Sequence, residues 1–198
     1  MSNALVEKKR PVTKTGSLVV ISGPAGVGKT TVVAKLLETP GLVRSVSATT
    51  RAPRGQERDG REYFFHTRER FDEGVRRGEF LEHAVIHGQC YGTPLRPLEE
   101  AVAAGRTIVL AIDVQGAAAL RALGRAFLGI FLLPPSLDEL RRRLAGRGDT
   151  APADVEHRLA HALEELKQKD LYDVRIVNDS VDRAVADIVR ALKERQLL

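Results

Sequence analysis

Short, nearly unbroken apolar runs alternate along this chain with longer stretches in which apolar residues recur every three or four positions among charged ones. Leu18-Val19-Val20-Ile21, Thr107-Ile108-Val109-Leu110-Ala111-Ile112 and Leu128-Gly129-Ile130-Phe131-Leu132-Leu133 are of the first kind. A strand with one face in water alternates in polarity, whereas one that is apolar at successive positions is covered on both faces, as in a parallel sheet. The pattern predicts strands over 17–22, 43–49, 107–113, 127–133 and 174–178, and helices over 29–38, 136–145, 153–168 and 181–194. Such alternation reads as an α/β fold with a mostly parallel sheet flanked by helices. Pro134 and Pro135 stop one strand, and Ser136-Leu137-Asp138-Glu139 fits a capping box opening the helix that follows.

Two stretches interrupt the alternation. Residues 47–93 hold short strand-like pieces (Tyr63-Phe64-Phe65-His66 and Phe80-Leu81-Glu82-His83-Ala84-Val85), a short helix between them and many charges, which predicts an insertion rather than another strand-helix unit. Residues 146–168 open on Gly146-Arg147-Gly148-Asp149-Thr150-Ala151-Pro152 and run into a long charged helix, the pattern of a mobile lid. The expected organisation is a disordered basic lead-in over 1–16, a nucleotide-binding core from 17–46, 94–145 and 169–198, the insertion at 47–93 and the lid at 146–168.

The turn after the first strand carries the clearest chemistry. Gly23-Pro24-Ala25-Gly26-Val27-Gly28-Lys29-Thr30 fits G-x-x-x-x-G-K-[ST], with a buried strand before it and a helix, beginning Lys29-Thr30-Thr31, after it. Glycines let the backbone curl so that successive N–H groups face a phosphate chain, and the helix N-terminus adds partial positive charge. Lys29 is placed to reach the β- and γ-phosphates of ATP and Thr30 to hold the Mg²⁺ that accompanies it. The motif names a phosphate donor and leaves the acceptor open. The N-K-x-D motif of a guanine-reading GTPase does not occur, and a motor would usually be larger, so a small-molecule kinase is the favoured class.

Composition narrows the partners. The 198 residues, 43% of them hydrophobic, suffice for one well-buried domain. The formal charge of +5 comes mainly from arginine and suits nucleic acid, an anionic surface or a small polyanion equally. Six phenylalanines and three tyrosines without stacking-platform spacing argue against nucleic acid. Cys90 is the only cysteine, no apolar run approaches a membrane span, and the N-terminus does not read as a signal peptide, so a cytoplasmic protein is expected. Nothing in the sequence sets the number of subunits.

Seven further motifs stand in register with the glycine-rich turn: S-x-T-T-R-x-P-R from Ser47, D-G-x-x-Y ending at Tyr63, G-E-F-L-E ending at Glu82, Y-G-T-P from Tyr91, I-D-V-Q-G from Ile112, G-R-G from Gly146 and V-N-D from Val177. In this order and at these distances, over residues 17 to about 194, the chain resembles the guanylate kinases. The resemblance implies that Arg51, Arg54, Tyr63 and Tyr91 hold the phosphate of GMP, and two guanidinium forks with two phenols suit a dianionic monoester. It implies that Glu82 accepts from N1–H and the exocyclic amine of guanine, that Ser47 and Thr93 face O6 and N7, and that Asp113 belongs to the same site. It further implies that Arg143, Arg147 and Arg158 close over the transferring phosphoryl group, and that Asn178 meets the adenine of ATP. Arg141 and Arg142 read as a solvated face.

The chain departs from the family at Ala111, where an acid usually begins a D-x-D or E-x-D pair, leaving Asp113 alone. Cys90 stands where an aromatic is frequent and His83 where tryptophan is, and both read as packing substitutions. Two other readings remain: a kinase for another nucleoside monophosphate, and a non-catalytic interaction module on the same fold. Glu82 with Ser47 and Thr93 speaks against the first, and the complete glycine-rich turn against the second.

Overall fold

The computed structural model describes residues 16–86, 88–146 and 152–198. Its centre is a five-stranded parallel sheet made of β1 (Ser17–Ser22), β2 (Leu42–Arg44), β7 (Thr107–Ala111), β8 (Leu128–Leu133) and β9 (Val174–Val177), in the order β2-β7-β1-β8-β9. Along β1, Val19 and Ile21 enter one apolar cluster and Leu18 and Val20 another, so the strand's period of two divides its side chains between two cores. Helices α1 (Lys29–Leu36) and α7 (Val181–Glu194) cover the first face through Val32, Val33, Leu36, Ala184, Ile188 and Leu192. On the second face lie α3 (Leu95–Ala103) and α4 (Val114–Ala122), which contribute Leu98, Ala101, Ala117 and Leu120. Covering on both sides explains why these strands are apolar throughout.

A second sheet stands beside the first, ordered β4-β3-β6-β5, from β3 (Ser47–Thr49), β4 (Tyr63–Phe65), β5 (Phe80–Ile86) and β6 (Gln89–Pro94). Helix α2 (Arg68–Arg76) lies between β4 and β5 and buries Phe71 against Ala48 and Cys90. Two expectations change here. The strand expected over 43–49 is two strands: β2 pairs with β7 in the first sheet, and β3 pairs with β4 and β6 in the second. Cys90 does pack in a core, whereas His83 is exposed, so the packing reading holds only for the cysteine.

Helices α5 (Leu137–Ala145) and α6 (Pro152–Leu166) pack on each other through Leu140, Leu144, Val155, Leu159 and Ala162. Ser136 caps α5, its hydroxyl accepting from the Glu139 N–H at 3.1 Å. The reciprocal half of the expected box is not made, because the Glu139 carboxylate accepts from Arg142 and Arg143 instead. Among the described residues no helix is long and apolar enough to cross a membrane.

Candidate active site

All five strands of the first sheet point the same way, so the loops after β1 and β7 emerge together at their C-terminal edge, where open α/β sheets place ligands. The loop from Gly23 curls back over β1 into α1. Gly28 at its end has φ of 93°, and a Cβ there would lie 2.6 Å from the Asn178 Nδ2, so only glycine fits. Val27 turns inward and is fully buried, while Thr30 and Thr31 at the head of α1 are exposed. Lys29 donates from Nζ to the Ile112 carbonyl at 3.1 Å, which ties the loop to the end of β7. Burial lowers the Lys29 pKa, and the charges of Glu165 and Asp113 oppose that shift.

Two side chains brace this loop from behind. Asn178 is 3% exposed and donates from Nδ2 to the Val27 carbonyl at 2.7 Å. Arg143 donates to the same carbonyl at 3.2 Å and to the Asn178 carbonyl at 3.1 Å, with Nε on Glu139 at 2.7 Å. The family resemblance implies a ligand-side place for both, Arg143 over the phosphoryl group and Asn178 on adenine. The structure puts them on the carbonyl side of the loop, because a curl that aims its N–H groups inward leaves outward carbonyls needing donors. Arg141 and Arg142 are exposed and paired with Glu156 and Glu139, as a solvated face requires. Arg158 lies half-buried on α6, and Arg147 falls outside the described residues.

The second sheet faces this edge across a cleft of about 200 Å³ lined by Ser47, Tyr63, Glu82, Tyr91, Ala111 and Asp113, among others. Glu82 is the unusual member, a carboxylate only 7% exposed. A bulge produces it. Phe80 pairs with Pro94 but Glu82 with Thr93, so β5 carries one extra residue, and consecutive Leu81 and Glu82 are both buried. Thr93, also fully buried, donates from its hydroxyl to the Glu82 Oε1 at 2.6 Å. The resemblance implies that Thr93 faces a base directly; here its proton goes to the carboxylate that would do so. Beneath Glu82 lies Gly116 of α4, where a Cβ would sit 2.9 Å from Oε2. Desolvation raises the Glu82 pKa, the Thr93 hydrogen bond opposing and the Asp113 charge adding to it. Asp113 caps α4 by accepting the Gly116 N–H at 2.9 Å.

At the outer end of the cleft the rings of Tyr63 and Tyr91 meet edge-on, with centroids 6.1 Å apart, and the Arg51 guanidinium lies 5.4 Å from the Tyr63 ring. Burial raises the Tyr63 pKa, keeping its hydroxyl a donor at neutral pH. Arg51 donates Nη2 to both oxygens of Glu57, at 3.0 and 2.9 Å, and Glu57 also takes the Arg54 N–H at 2.8 Å. Arg54 itself is exposed and does not line the cleft. Glu57 thus occupies the Arg51 fork that a phosphate would use, a partner the sequence reading missed. A wider, apolar hollow of about 570 Å³ opens at the start of β1 and β8, on the opposite edge of the sheet from the glycine loop and Glu82.

Comparisons with known proteins agree with this layout. The family model described as guanylate kinase matches residues 15–195. A guanylate kinase of Parasynechococcus marenigrum is 48% identical over 171 residues, covering 86% of this chain and 94% of its own length. One of Wolbachia pipientis is 43% identical over 188 residues, 94% of either chain. The crystal structure of guanylate kinase from Anaplasma phagocytophilum superposes with a TM-score of 0.79 at 36% identity, over 93% of this chain and 88% of that one. Likeness of this degree, sustained over nearly the whole length, covers the parallel sheet, the glycine loop and the facing cleft alike, and the chain belongs to the guanylate kinase family.

Proposed function

We propose that the protein transfers the γ-phosphoryl group of MgATP to GMP, or to dGMP, giving ADP and GDP. The observation that carries this reading is Glu82, a buried carboxylate clamped by Thr93 in a cleft that abuts the Lys29 loop. An ionised, desolvated acceptor there matches the two adjacent donors of guanine. Adenine presents an acceptor at the same place and would leave the carboxylate unpaired and repelled. Ser47 contacts the base, and Tyr63, Tyr91, Arg51 and Arg54 take the GMP phosphate once Glu57 yields the Arg51 fork. Residues Gly23 to Thr31 cradle the triphosphate as a phosphate loop. Thr30, exposed at the head of α1, fits as an oxygen ligand for the Mg²⁺ that arrives with ATP. The cytoplasm, where both nucleotides are abundant, is the compartment we assign.

The attacking group is a phosphate oxygen that is already ionised, so no side chain has to remove a proton. Catalysis reduces to alignment and charge neutralisation. Lys29 and Arg158 supply positive charge toward the transferring group, and we retain Arg147 for the same role. Arg143 instead stiffens the loop from behind. The 47–93 sheet carries the acceptor, the core carries the donor, and α5 with α6 forms the wall nearest the phosphates. A coupled assay offering GMP, AMP, CMP and UMP, with and without Mg²⁺, should show Mg²⁺-dependent turnover with GMP alone; equal turnover of AMP would overturn the role of Glu82.

Ala111 lines the cleft beside Asp113, where the family resemblance expects a second acid. Asp113 and Thr30 suffice on this reading. Ala111→Asp should leave kcat within about tenfold of wild type while raising KM for GMP, because another carboxylate near Glu82 disfavours its ionised form as Asp113 already does. Steady-state kinetics decides, and a tenfold gain in kcat would show that the native site lacks a needed acid.

A further inference from the structure

We propose that Glu165 is a positioning residue that grips the phosphate loop from α6 and so fixes Arg158 relative to Lys29; the role of Arg158 rests on the function proposed above. Glu165 Oε2 accepts the Ala25 N–H at 2.9 Å, joining segments 140 residues apart. Arg158 precedes Glu165 by seven residues, two turns of helix, so both project from nearly the same side of α6 about 10 Å apart along its axis. The grip therefore sets where the Arg158 stem starts with respect to the loop.

Packing alone does not explain a carboxylate at this point. Ala25 already touches the apolar cluster that joins α5 and α6. An apolar side chain at 165 would extend that cluster without the desolvation that raises the Glu165 pKa. The groups facing the carboxylate are the Ala25 amide, Lys29 on α1, Asp113 before α4 and His161 on α6 itself. Of these the Ala25 amide is a fixed main-chain donor, and its direction, unlike that of an apolar contact, specifies one rotation of α6.

Glu165→Gln keeps the acceptor oxygen; Glu165→Met keeps length and packing but cannot accept. Glu165→Met should lower kcat about thirtyfold or more with KM for GMP within about twofold and no loss of thermal stability. Glu165→Gln should retain kcat within about fivefold. In the Glu165→Met background Arg158→Lys should cost less than about threefold further, since a misplaced arginine has little left to lose. Normal kcat in Glu165→Met, equal losses in Met and Gln, or losses that multiply with Arg158→Lys would each overturn the proposal. The Ala25 amide supplies a readout independent of the acceptor substrate. Its protection from hydrogen exchange in the full-length protein should fall in Glu165→Met and persist in Glu165→Gln, and unchanged protection in both would overturn the grip. Absence of GMP turnover by the wild type would refute the proposed function while leaving this amide measurement to judge Glu165.

Discussion

Replacing Glu82 with glutamine is expected to lower kcat/KM for GMP about a thousandfold, leave KM for ATP unchanged and leave the fold at least as stable. The carboxylate offers two acceptors to the two donors of guanine, and glutamine turns one of them into an NH2 donor. Two charge-assisted hydrogen bonds at about 2 kcal/mol each correspond to about three powers of ten. Stability moves the other way because the Glu82 pKa is raised by desolvation. The folded protein binds this proton more tightly than the unfolded chain does, so the ionised form costs stability above the folded pKa, and the cost is relieved as pH falls through it. GMP, however, needs the ionised form. KM for GMP should therefore climb on acidification while an exposed glutamate is still charged, tending to about tenfold per pH unit below the raised pKa. The GMP phosphate titrates with either protein, so the ratio of wild-type to Glu82→Gln profiles isolates the residue. A ratio that stays flat down through the pH at which exposed glutamates protonate, or a glutamine variant with native kcat/KM, would remove Glu82 from guanine recognition.

The parts of the molecule that could be read from sequence are those in which the signal is local. The first strand, the glycine loop and α1 follow one another, and each carries its own pattern; the same holds for the apolar β7 and β8 and for α7. Residues 43–49 read as one strand because nothing in the residues themselves says that Leu42–Arg44 pairs with β7 while Ser47–Thr49 turns to β4 and β6. Helix α4 was missed because Val114-Gln115-Gly116-Ala117-Ala118-Ala119 is small and weakly amphipathic, although Asp113 as its cap was a usable signal. Within the site, Ser47, Tyr63, Glu82, Tyr91 and Asp113 gather in one cleft as their motifs implied. What escaped were contacts made to main chain: Glu165 on the Ala25 amide, and Asn178 and Arg143 on the Val27 carbonyl. A backbone atom has no identity in a sequence motif, so a side chain devoted to one leaves no spacing to recognise.

Lys29→Met is expected to lower kcat at least a hundredfold while the protein folds normally and binds GMP as before. The ammonium is held at the mouth of the loop by the Ile112 carbonyl, 3.1 Å away, and faces Glu165 and Asp113. A unit charge about 4 Å from developing negative charge is worth about 4 kcal/mol at an effective dielectric near 20, so its loss accounts for a factor between about 10² and 10³. Folding does not require the charge. Burial lowers the Lys29 pKa, so the ammonium costs stability at pH values below its folded pKa, and methionine keeps the stem while removing that cost. Arginine should not rescue, because a planar fork cannot take the place of a compact ammonium between the Ile112 carbonyl and the loop. The decisive pattern is the split between kcat and the two Michaelis constants. A fall in kcat with KM for GMP unchanged locates the lysine at the transferring phosphoryl group, whereas near-normal turnover would mean that the loop amides and the arginine of α6 neutralise that charge without it.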